Sequence, residues 1–178
     1  MNQRALLLDR LLTLLACRPA FEWVSENGFY LIEQAWEACS DPNWMLWLVY
    51  QTAREDYAVV VQKVMDEIFE TNPYDLSPAA LQDAAACRAL YDRGALFPET
   101  RAMFIRSHGT ETLAFCFYKL LERQGPVGAS FLFDNFLSKR SAKDRAATAD
   151  MIRRAFPAVY VQKSWDAFWS RYVRRSLR

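Results

Sequence analysis

The sequence predicts an all-α fold: a compact, multi-helix single domain spanning 1–178, with about nine or ten helices. Three observations carry that expectation. The seven Pro and five Gly fall between periodic segments rather than inside them. Within the segments, apolar residues recur at i, i+3, i+4 and i+7, the spacing that gathers side chains on one helix face. The runs rich enough in β-branched or aromatic residues to pair, Phe29–Ile32, Val59–Val61 and Ala158–Val161, have no hairpin turn beside them.

The first helix is expected over 4–16. Its Leu6–Leu8, Leu11, Leu12, Leu14 and Leu15 resemble a signal-peptide core. Asp9 and Arg10 interrupt that run and no small-x-small cleavage site follows, so it reads as a helix of the mature protein. Pro19 and Gly28 bracket a helix over 19–26, and a third follows over 30–39. Asp41-Pro42 then places a capping carboxylate before a Pro suited to the first helical turn, opening 42–69 with a break allowed near Thr52.

Residues 71–76, centred on Asn72-Pro73, form the longest irregular piece. They divide an acidic N-terminal layer (about 1–76) from a basic C-terminal one (about 77–178). Ser77-Pro78 opens 78–93, Pro98 opens 98–107, and Thr110 caps 111–124 after Gly109. Gly125-Pro126-Val127-Gly128 turns the chain into 127–138. Ser141 and Asp144 offer a capping-box-like pair for 142–156, and the last helix covers 160–175 after Pro157.

Composition narrows the class. Hydrophobic residues make up 52%, aromatic 15% and charged 24%, a globular mixture with enough apolar surface to offset ordering entropy. No apolar run reaches the ~18–20 residues of a bilayer span, so no membrane role is expected. The four Cys at 17, 39, 87 and 116 contain no CxxC pair and read as reduced thiols, which places the protein in a cytoplasm. The formal charge of +1 hides an asymmetry. Residues 1–89 hold 6 basic and 13 acidic side chains (−7), whereas 90–178 hold 16 and 8 (+8).

Catalytic patterns are scarce, and the expectation is a non-enzyme without cofactor or metal. The single His108 precedes Gly109 at a helix C-terminus, where a partly cationic ring complements the helix dipole. One His cannot build a two-His metal site. Nucleotide-loop and nucleophile-elbow motifs do not occur. Glu33/Glu37 and Asp66/Glu67/Glu70 share helix faces, but with no facing Glu-x-x-His they read as solvated acidic surface. A helix–turn–helix reading of 111–137 fails because its second helix, Ser130-Phe-Leu-Phe-Asp-Asn-Phe-Leu137, is too apolar to read base edges.

One segment carries a resemblance. Cys17, Trp23, Gly28, Ala35-Trp36, Cys39 and Asp41-Pro-Asn-Trp44-Met-Leu-Trp47-Leu48 follow the pattern C..a..W...g...eAW..C...dWmlWL. That pattern resembles a module of uncharacterised phage and bacterial proteins, over about 32 of the 178 residues. The resemblance implies a helical packing module and a phage or prophage origin, and brings no activity with it. From spacing alone, Trp36 and Cys39 share one face, and Trp44, Trp47 and Leu48 share the next. Core packing is the preferred reading of these indoles, which makes Trp36 and Trp47 largely buried; an aromatic ligand cage is the alternative.

The basic C-terminus is the feature closest to a functional surface. Trp165, Phe168, Trp169, Tyr172 and Val173 recur at helical spacing, and Arg171, Arg174, Arg175 and Arg178 lie nearly opposite. On this reading the aromatic side, Tyr172 included, is buried beneath an exposed Arg side. Lys139, Arg140, Lys143, Arg145, Arg153 and Arg154 add a second cationic cluster upstream. The bland account is a solvated face or one that meets the acidic N-terminal half. The functional account makes these ten residues a partner-binding surface. A protein partner comes first, in keeping with a phage-type modulator or inhibitor of a bacterial host or defence complex. Nucleic acid or a nucleoprotein is the alternative.

Overall fold

The computed structural model describes residues 2–71 and 140–176, with isolated helical positions at 85, 112, 115, 116, 119, 122, 125 and 137. Among these residues every regular element is a helix, seven are delimited, and no strand occurs. They are α1 (Gln3–Thr13), α2 (Arg18–Asn27), α3 (Ile32–Ala38), α4 (Pro42–Thr52), α5 (Arg54–Thr71), α6 (Ala142–Ala155) and α7 (Ala158–Ser176). The three candidate strand runs resolve the same way: 59–61 lie inside α5, 158–161 open α7, and 29–31 form a short link before α3. The helices expected over 78–138, and His108 with them, lie outside the described residues except at those isolated positions.

Local chemistry explains where the helices begin and end. The Asn2 side chain accepts from the Arg4 N–H at 3.1 Å and starts α1. Pro19 lies in the first turn of α2, and Gly28 ends that helix at φ 68°, a left-handed conformation that costs glycine little. Gln34 Oε1 reaches back to the N–H groups of Tyr30 and Leu31 at 2.9 and 3.2 Å, serving the donors that α3 leaves unpaired. Asp41 accepts from Asn43 and Trp44 at 3.0 and 3.2 Å, as the Asp-Pro pair predicts. The allowed break near Thr52 is real: Ala53 separates α4 from α5. Ser141 Oγ accepts from the Asp144 N–H at 3.2 Å and donates to the Asp144 carboxylate at 2.7 Å, so the capping pair forms at the start of α6.

The chain divides into two compact units, 1–60 with 149–178, and 61–148. The first therefore draws on both the acidic and the basic parts of the sequence. Within it α1 packs on α2, and α7 packs on α3 and α4. α7 supplies Val161, Trp165 and Trp169 to the core at i, i+4 and i+8. They join Ile32, Ala35 and Trp36 from α3 and Met45, Leu46 and Val49 from α4, all buried. Trp36 meets Phe156 edge-to-face at 6.2 Å, and Trp165 meets Trp169 likewise at 5.7 Å. In the second unit the described core residues include Val61, Val64, Met65, Cys116 and Leu137.

Candidate functional site

Trp169 marks the end of the cover over α7. Arg171, Tyr172, Val173 and Arg174 are all exposed, Tyr172 at 44% and Val173 at 52%. Successive helix residues are turned by about 100°, so four in a row sample nearly the whole circumference. Every side of this turn therefore meets solvent. Tyr172, expected beneath the Arg face, is a correction: the buried stripe stops one turn earlier than the aromatic pattern does. Its ring nonetheless keeps contact with the helix, stacked on Phe168 at 6.3 Å and edge-on to Trp169 at 5.1 Å. These contacts limit its rotamers and hold a large flat surface outward. Arg10 of α1 lies over the Trp169 ring at 5.3 Å and anchors the base of the turn.

The ten cationic candidates fall in different places. Arg171 and Arg174 are exposed on the turn just described, and neither is ion-paired among the described residues. Arg154 is exposed on α6. Arg153 instead reaches inward, donating to the backbone oxygens of Trp36 at 3.3 Å and Cys39 at 2.5 Å, with Asp150 at 2.5 Å on its other nitrogen. In the second unit Lys143 is exposed, and Arg140 and Arg145 are half-buried. Lys139, Arg178 and the Arg175 side chain lie outside the described residues.

A second feature lies within the Trp-and-Cys segment. Residues of α1–α4 and the link after α1 line a small recess of about 50 Å3, partly open to solvent, with walls free of polar surface. Trp23, Trp36, Trp44 and Trp47 all line it. Trp36 is buried as expected, at 2% exposure. Trp47 is half-buried, with its ring bordering this space. The Cys39 thiol, also in the wall, is pushed up to about 11 by burial, with the Asp41 carboxylate adding to the rise. It is a neutral wall atom at physiological pH. The Trp36 indole nitrogen is buried without a hydrogen-bond partner.

Among the described residues no group of three or more His, Cys, Asp and Glu could hold a metal ion. None of the described helices is long and apolar enough to cross a membrane. Comparison with protein-family models, curated proteins and solved structures finds no match for this chain.

Proposed function

We propose that this chain is a non-enzymatic binding protein that engages an acidic protein partner through the exposed turn 171–174 of α7. The observation that supports this reading is the exposure of two Arg, a Tyr and a Val on consecutive residues of a helix that is well packed one turn earlier. Arg and Tyr supply much of the energy at protein interfaces: the guanidinium gives directed hydrogen bonds, and the ring gives a large area with little entropy to lose. Val173 favours a protein over nucleic acid, since an apolar side chain among the cations gains nothing from phosphate. The Trp-and-Cys resemblance adds the biological role, a phage-type modulator or inhibitor of a bacterial host or defence complex, acting in the cytoplasm.

A pull-down from bacterial lysate tests the proposal, with wild type and an Arg171→Glu/Arg174→Glu variant as baits and each run repeated after nuclease treatment. The expected result is a protein retained by wild type, lost by the variant and indifferent to nuclease. Loss of every partner on nuclease treatment would transfer the function to nucleic acid. Identical capture by both baits would remove the turn from the interface.

A further inference from the structure

We propose that two copies of this chain pair face to face, the Leu15 side chain of each entering the recess among α1–α4 of the other. Leu15 is the first reason. It exposes 85% of its surface at φ 59°, a left-handed conformation in which a Cβ is strained. Glycine would close this turn without strain, and within one chain a leucine so exposed gains almost nothing by burial. Strain that the fold does not use points to a role outside it. Nor is Leu15 isolated. Leu8 and Leu12, one turn apart on α1, lead up to it; Leu12 is 55% exposed and Leu8 half-buried. The helix thus carries two leucine stripes. Leu7 and Leu11 are buried in their own fold, and the second stripe faces outward. Contiguous exposed apolar surface of this kind marks a contact site.

The recess supplies the socket. Ala16, Ala20, Trp23, Trp44 and Trp47 line it, all half-buried, and Ala16 is the chain neighbour of Leu15. At about 50 Å3 it is far smaller than the ~150 Å3 that holds a benzene ring, and it suits the branched end of one aliphatic side chain. Its walls offer water no polar partner, so replacing water there with carbon is favourable. Two features assign the socket to a second copy. Projection and recess adjoin each other through Ala16, and a twofold contact needs a face that complements itself. The charges beside them agree. Arg18 and Glu22 stand exposed and 2.7 Å apart with opposite signs. Two copies therefore meet without like-charge repulsion, and Arg18 of either can pair with Glu22 of the other. The α7 turn, with Arg171 and Arg174, would repel its own copy and is left to the acidic partner.

Sedimentation equilibrium of the full chain over a wide range of concentration tests the pairing. Wild type is expected to pass from monomer to dimer with a Kd on the order of 10–100 µM, in keeping with a contact at the small end of interface sizes. Leu15→Gly, which removes both projections, should weaken dimerisation at least about tenfold. In dilute, monomeric solution the same change relieves strain, so stability and self-affinity move in opposite directions. Ala20→Leu, which fills both recesses from α2, should also abolish the dimer, at an unchanged urea midpoint. Mixed together, the two variants restore one of the two insertions, and the mixture should associate more tightly than either variant alone. Raised salt should leave the wild-type dimer intact, because apolar burial is not screened. Should Ala20→Leu fail to fold, wild type, Leu15→Gly and the salt series decide the matter. A wild type that stays monomeric, a Leu15→Gly dimer as tight as wild type, a dimer that dissolves in salt, or a mixture of folded variants no tighter than its components would overturn the proposal.

Discussion

Arg153 donates to the carbonyl oxygen of Cys39 at 2.5 Å, across 114 residues of sequence, and so closes the C-terminal end of α3 from α6. The last carbonyls of a helix lack intrahelical partners and carry the negative end of its dipole, and a guanidinium answers both needs. The same group reaches the Trp36 oxygen, so the register of the cavity wall depends on it. Arg153→Met should cost about 1–2 kcal/mol, reduced from the usual value for charged hydrogen bonds because the site is part-exposed. Arg153→Lys should recover only part, since one ammonium cannot reproduce the planar fork. Urea midpoints of the two variants check both expectations.

Leu15 holds φ at 59° and exposes 85% of its surface. It follows α1 in a Schellman arrangement, with Leu15 N–H bonded to Leu12 O at 2.9 Å and Ala16 N–H to Leu11 O at 3.0 Å. Glycine ordinarily occupies this position because a Cβ is strained there. Leu15→Gly should therefore stabilise the protein by roughly 1 kcal/mol, with little burial to lose. Thermal unfolding measures it, and a lower midpoint would mean that the leucine side chain makes contacts its exposure does not suggest.

Cys39 gives a pH dependence of known sign. Its folded value of about 11 exceeds the ordinary 9.0, so between these limits the unfolded chain releases a proton that the folded chain keeps. Stability is fully present below pH 9 and falls as pH rises toward 11. Cys39→Ala should flatten that alkaline loss in urea titrations at pH 8 and pH 10. At neutral pH Cys39 should resist alkylation while exposed Cys17 reacts, as peptide mass mapping would show.

Trp36 and Trp47 should differ on truncation. Trp36→Ala should cost about 3–5 kcal/mol, the usual loss for a buried large aromatic. Trp47→Ala should cost distinctly less, because part of its ring already faces the cavity or solvent. Equal losses in urea unfolding would mean that Trp47 is sealed in the core.

The helical class was legible because caps and breaks are local. Asp41, Pro42, Ser141 and Gly28 act within a few residues of themselves, and their roles follow from side-chain chemistry alone. Arg153 was not legible as a helix cap, since its partners lie 114 and 117 residues away. From sequence it is one cation in a run of cations. Tyr172 shows the same limit for burial. Periodicity says which side chains share a face, not where the neighbouring helices stop covering it. The cavity depends on how four helices fail to meet, and no spacing rule reports that.

The central claim rests on the turn 171–174, and one comparison addresses it most directly. Arg171→Glu/Arg174→Glu and wild type would be measured for urea midpoint and for affinity toward the captured partner at two salt concentrations. The account predicts an unchanged midpoint, because exposed charges contribute little to folding. It also predicts weaker binding by the variant, with the deficit larger at low salt, where the lost attraction is least screened. Affinity that stays at the wild-type level with the midpoint unchanged, or that falls only in step with stability, would contradict it.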